Sequence, residues 1–472
     1  MSVLREIKQS AEEEVQRHLD IIRRQILKGV TRPYNEVIDL SSGDNHAAGI
    51  KPITFVRQVL AGCLYPDVLL GDTLPVDAQL RVKRLLEQCA GGSVGSYTDS
   101  SGMAHVQRNV ANFISRRDGG LPADPNHVFI ASGSQRAIMA ILKLLPQGEG
   151  TSQTGIMVPT PCPHTLPHLL KAAGLVTVPY QLTEEMDWKV DLLQLHKVIQ
   201  ASRGHCSPRA LFISNPGNPT GHIQSRRSIE QIICFAAEHK LLLLVDEKYQ
   251  ESVFGEGSEF VSYKKVLAEI GPPYSLTVEL ASFHSLSNGI MGECGLRAGY
   301  VELVNFDHTV LPFVETLLCR DISTPVLGQI ALDIMVGPPL PGDPSYNLYT
   351  QEVESRRATL ECNMDKAVDC LNTLPGFRCH PVKAGLFIYP HLTLPNAVLT
   401  QAQHLGVEAG LLYCGSLLEE EGLCVGVCEC VCESSRQGSC WHIRMCVLMP
   451  SDVLEDVLCR LRSFHIRFLR GY

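Results

Sequence analysis

Four short stretches carry polar side chains at spacings that suit the holding of a small phosphorylated ring. Ser132-Gly133-Ser134-Gln135 joins an apolar run, 128–130, to a helix start. Small residues there let backbone N–H groups and the helix dipole hold a phosphate, although a plain helix cap would look the same. Asn215-Pro-Gly-Asn-Pro-Thr-Gly221 follows a second apolar run. Its prolines stiffen the loop and its glycines allow tight turns, so Asn218 presents its amide from a fixed position. Asp246-Glu-Lys-Tyr249 ends a third run. A carboxylate at the mouth of a buried strand is costly unless it meets a cation, and a protonated pyridine nitrogen would be one. Within 279–299, Ser285 and Arg297 add a hydroxyl and a guanidinium suited to a phosphate.

The elements between these stretches explain how they could converge. Residues 103–117, 134–145 and 225–239 have helical periodicity, whereas 128–130, 209–214 and 241–245 read as strands. The strands are apolar throughout, which predicts a mostly parallel sheet sandwiched by helices, an α/β architecture. In such sheets ligands sit beyond the carboxyl ends of the strands, where all four polar stretches fall. The proline- and glycine-rich run 336–344 marks a boundary. Beyond it, helices over 350–372 and 451–464 flank short strand-like pieces, which suggests a smaller α+β domain. Residues 3–27 form an amphipathic helix that either packs on its own domain or grips a partner subunit.

Bulk composition narrows the function. The chain has 472 residues, 45% apolar and 19% charged, with a net charge of -9 and no long charged runs. That excludes a disordered chain and gives no basic footprint for nucleic acid or for a lipid surface. No apolar stretch approaches the ~20 residues that span a bilayer. The N-terminus lacks a secretory core, and Glu6, Glu12, Glu13 and Glu14 argue against a mitochondrial leader, so the cytoplasm is the expected location. Most of the 18 cysteines sit singly in apolar runs, as small hydrophobes do. Cys424, Cys428, Cys430, Cys432 and Cys440 cluster, but without the paired two-residue gaps of a zinc site, so no metal is expected. His284 and His442 read as packing residues.

The four stretches resemble the cofactor site of fold type I pyridoxal-phosphate aminotransferases, alanine aminotransferases in particular. Gly43-Asp44 with Lys51-Pro-Ile-Thr-Phe55, the run 116–125 and Met291-Gly-Glu-Cys-Gly295 are similar to that family in spelling, and the likeness extends over nearly the whole chain. The resemblance implies amino transfer between L-alanine and 2-oxoglutarate through pyridoxal phosphate, in a homodimer. It implies an N-terminal arm with part of a small domain over 1–75, a large cofactor-binding domain over 76–335 and a small C-terminal domain over 336–472. Asp246 would face the pyridine nitrogen, and Asn218 and Tyr249 the ring hydroxyl. Ser134, Gln135, Ser285 and Arg297 would hold the phosphate, with Tyr97 arriving from the other subunit. Arg444 would clamp the substrate carboxylate, and Gly43 would lie against the substrate.

The chain departs from the family at the reacting centre. Asn288 stands where the family has its Schiff-base lysine, and an amide is neither nucleophilic nor basic. The ring-stacking tyrosine is replaced within Pro161-Cys162-Pro163, and Val427-Cys-Glu-Cys-Val-Cys432 replaces a glycine-rich loop. Lys248 occupies a position where the family has a small apolar residue. Side chains in a strand alternate, so Asp246 and Lys248 face the same way, ~7 Å apart, where Lys248 could substitute for the missing lysine. Pairing with a carboxylate or the phosphate is the other use for it. An inactive relative that binds cofactor or an active partner subunit is the alternative to a working enzyme.

Overall fold

The computed structural model describes residues 11–429 and 440–472 except 256, 288 and 320–322; of 11, 12, 319, 428, 429 and 440 only the backbone is described. Its central element is a seven-stranded sheet. From one edge to the other the strands are Val128–Ala131, Gly299–Val304, Leu280–Ser285, Leu242–Asp246, Ser207–Ser214, Thr154–Thr160 and Val176–Gln181. Only Gly299–Val304 runs against its neighbours. The expectation of a mostly parallel sheet is met, and its physical sign is visible in Leu242–Asp246, buried at every residue. Leu243 and Val245 pack with helices Arg226–His239 and Tyr263–Ile270 on one face. Leu242 and Leu244 pack with Ser134–Leu142 and Leu166–Ala173 on the other.

Register brings the polar stretches together. Ser214 pairs with Asp246, Asp246 with Phe283, Ser285 with Gly299 and Gly299 with Ala131. Four carboxyl ends and the amino end of the one reversed strand therefore share an edge. The strand ends at Asp246, and Lys248 lies in the turn that follows. That corrects the reading of Lys248 as a strand neighbour of Asp246.

A second core belongs to the C-terminal region. Helices Tyr346–Asn372, Ala409–Glu421 and Ser451–Arg470 pack with an antiparallel sheet containing Phe387–Ile388, His391–Thr393 and Cys440–Cys446. The N-terminal helix Ala11–Leu27 joins this core through Val15, Leu19 and Ile22, so it packs on its own chain. Ile38–Asp39 then pairs in parallel with Leu423–Cys424. Helix Thr54–Leu64 instead packs with Ala104–Arg117 and Val326–Val336 against the edge strand Val128–Ala131.

Candidate active site

The phosphate end is built by a helix start and a guanidinium. Helix Ser134–Leu142 begins at Gly133, whose φ of 99° is open to glycine. A Cβ there would stand 2.8 Å from Arg297 Nη2, so the cradle needs glycine sterically as well. Arg297 donates from Nη2 to the Ser132 carbonyl at 3.3 Å and from Nη1 to Ser287 Oγ at 3.3 Å. Ser134 and Ser285 are buried beside it, and Ser285 Oγ accepts the Ser287 N–H. Gln135 does not join them: its side chain is exposed and donates to Thr165 Oγ1 at 3.0 Å. Tyr97 is 78% exposed.

The ring end is divided. Asn218 is buried, and its Oδ1 has no partner. A buried carbonyl without a donor is costly, and a ring hydroxyl would satisfy it. Tyr249 is fully buried, and burial pushes its hydroxyl well above the usual phenol range, so it stays protonated and can donate. Asp246 is 2% exposed and already has a cation, because Lys248 Nζ sits 3.2 Å from its Oδ2. Lys248 is itself largely buried and lies 5.4 Å from the centre of the Tyr249 ring. Its ammonium thus already pairs with the Asp246 carboxylate. Asn288, Cys430 and Cys432 lie outside the described residues.

The substrate end is made by the C-terminal core. Arg444 pairs in register with Gly426, is 4% exposed and stacks 4.9 Å from the Phe387 ring centre. Its Nη2 donates to the Ser41 carbonyl at 2.9 Å, and its Nη1 lies 3.3 Å from His164 Nδ1. Burial, then the charges of Arg444 and Lys248, pull His164 down to about 4, so the ring is neutral and can accept from Arg444. Sequence reasoning missed His164, which follows the unusual Pro-Cys-Pro spelling and carries no spacing signal. Gly43 has a φ of 67°, and a Cβ there would meet the Phe387 ring at 2.9 Å. A cavity of about 600 Å³ opens beside Ser41, Ser42 and His164, walled by Glu13, Gln16, Arg17 and Asp20 of the N-terminal helix. His284 and His442 are packing residues, as expected, stacked on Phe113 and Tyr389.

Comparison with known proteins decides the family. The aminotransferase class I and II family matches residues 35–461. The chain belongs to that family. Alanine aminotransferase 1 of Homo sapiens is 44% identical over 458 residues, covering 97% of this chain and 92% of the relative. Alanine aminotransferase 2-like of Danio rerio is 43% identical, covering 96% and 82%. Among solved structures, the alanine aminotransferase from Pyrococcus furiosus aligns with a TM-score of 0.71 at 18% identity, covering 97% of this chain and 98% of that one. An Escherichia coli aminotransferase aligns with a TM-score of 0.72 at 18% identity, covering 99% of each chain. Both share the fold type I architecture seen here.

Aminotransferases of this family use pyridoxal phosphate, which when bound supplies an electron sink for reactions at the substrate carbon. The phosphate cradle and the unpartnered Asn218 carbonyl fit that cofactor. The Asp246 carboxylate, held by Lys248, fits it only if the ammonium gives way.

Proposed function

We propose that this chain retains the binding half of an alanine aminotransferase and has an impaired chemical half. The buried Asn218 carbonyl without a donor, in the loop after Ser214, whose strand end pairs with Asp246, carries the cofactor part of this reading. Ser134, Ser285 and Arg297 would hold the phosphate, and Asn218 and Tyr249 the ring hydroxyl. Arg444, fixed by Ser41 and His164, would orient the carboxylate of L-alanine or 2-oxoglutarate. In a cytoplasmic homodimer the exposed Tyr97 would complete the partner's phosphate site.

No residue in the family's lysine position can move the proton. Asn288 supplies no base, and Lys248 is engaged with Asp246. Loss of that general acid–base step costs about 10²–10⁴ in rate. The ion pair favours a second reading, in which the protein holds cofactor or pairs with an active subunit and does not turn over. One experiment separates the two. The purified protein is mixed with pyridoxal phosphate and dialysed; one portion is assayed with L-alanine and 2-oxoglutarate, and a second is reduced with borohydride and peptide-mapped. Slow turnover with retained cofactor supports the first reading. Retained cofactor with no turnover supports the second. Loss of cofactor on dialysis sinks the first reading and leaves of the second only pairing with an active subunit, and cofactor trapped on Lys248 refutes the assignment of that residue to Asp246 alone.

A further inference from the structure

Among the described residues, one group of three metal-capable side chains lies close enough together to share an ion: His196, Glu238 and His239. The group sits between helices Leu192–Ser202 and Arg226–His239, just before the amino end of strand Leu242–Asp246, whose other end carries Asp246. His196 Nδ1 is 3.2 Å from His239 Nε2, and Glu238 Oε1 is 3.8 Å from the same nitrogen. A tetrahedral ion with bonds of about 2.0–2.1 Å separates its ligand atoms by about 3.3 Å. The two imidazoles already stand at that spacing. Glu238, with 64% of its side chain exposed, is free to swing the remaining distance.

We propose that His196, His239 and Glu238 form a site for a zinc-type divalent ion that joins these two helices. Two facing ring nitrogens this close share a single proton, so one already presents a lone pair. The other ring need only change tautomer, and the ion replaces the proton between them with no net charge lost from the protein. Phe235 packs on both imidazoles, with centroids 4.9 and 4.6 Å away, and fixes their planes. His239 is the last residue of its helix, where the dipole is negative and favours a cation. Arg203 is the opposing charge nearby. The Glu238 carboxylate offsets it. Two nitrogens and one carboxylate leave a fourth position for water, and imidazole with carboxylate suits zinc among the available ions.

Cysteines elsewhere in the chain would compete for zinc, so cobalt(II) is the probe. The expected result is one equivalent of bound cobalt with a tetrahedral d–d spectrum and no thiolate charge-transfer band. It is accompanied by an upward shift of the thermal midpoint. His196→Gln and His239→Gln should each abolish the band, and Glu238→Gln should weaken binding about tenfold. Circular dichroism of the three variants reports their folding, and Glu238→Gln alters only an exposed side chain. A thiolate band insensitive to all three substitutions would overturn the site, as would the absence of any stoichiometric cobalt.

Discussion

The two ends of the cofactor cleft differ in how completely their groups agree with one another. At the phosphate end, helix start, glycine cradle and guanidinium all point to one anionic ligand, and among the described residues Arg297 donates to neutral acceptors, Ser132, Ser287 and Cys294. At the ring end, the carboxylate of Asp246 is already paired with a cation of its own chain, Lys248. Affinity and chemistry thus depend on separate groups here. On the proposed assignment Ser134, Ser285 and Arg297 serve the first, whereas the second has Asn288 and Lys248 where the resemblance implies a lysine and a small apolar residue.

Restoring the lysine gives the sharpest break in that comparison. Asn288→Lys should raise alanine–2-oxoglutarate turnover by about 10²–10⁴, the range that proton transfer by a positioned side chain contributes. Steady-state kinetics with borohydride trapping at position 288 would check it. An unchanged rate would mean that the Lys248–Asp246 pair, and not the missing lysine, limits the ring end.

Removing the ammonium tests that pair directly. Lys248→Met leaves Asp246 as a buried carboxylate without its cation, which should destabilise the apo protein by about 3 kcal/mol. Added pyridoxal phosphate should then recover more stability than it does in the parent. Thermal melts with and without cofactor measure both. Equal cofactor shifts in the two proteins would show that Asp246 does not meet the ring.

At the phosphate end, Arg297→Ala should weaken cofactor binding by about 10-fold or more, the loss of one charge-assisted bond. Arg444→Gln should leave cofactor affinity unchanged while raising the KM for L-alanine. Fluorescence titration and kinetics separate the two. Equal losses of cofactor affinity would erase the distinction between the ends.

Much of this was legible in the sequence because strand ends and loop spelling are local. The runs at 128–130 and 209–214 lie within strands, 241–245 overlaps strand Leu242–Asp246, and the segments that follow them meet at one edge. Strands Thr154–Thr160 and Val176–Gln181 were missed, since Gly155, Pro159 and Pro179 interrupt their apolar pattern. Pro179 is tolerated because its strand is the last in the sheet. The Lys248–Asp246 pair was half visible: carboxylate pairing was one of the uses foreseen, but the turn after Asp246 was not. His164 and the His196–Glu238–His239 group arise from contacts between distant segments, which no spacing records.

The last test concerns a histidine buried as a packing group. His284 lies between Phe113 and Tyr300, and burial pulls it down to about 3. Below the ordinary imidazole value near 6.5, the unfolded chain takes up a proton that the folded chain refuses. Folded stability from this residue is therefore complete above about 6.5 and lost as pH falls toward 3, at up to about 1.4 kcal/mol per pH unit. Glu247, raised by burial to about 7, works in the opposite direction between its unfolded value near 4.5 and 7. The net slope of the parent therefore mixes signs, and only a difference isolates the histidine. His284→Phe keeps an aromatic ring in the stack and removes the titration. Its stability should fall less steeply than the parent's between pH 6.5 and 4, measured by urea unfolding at each pH. Parallel curves would show that His284 takes up its proton in the folded state.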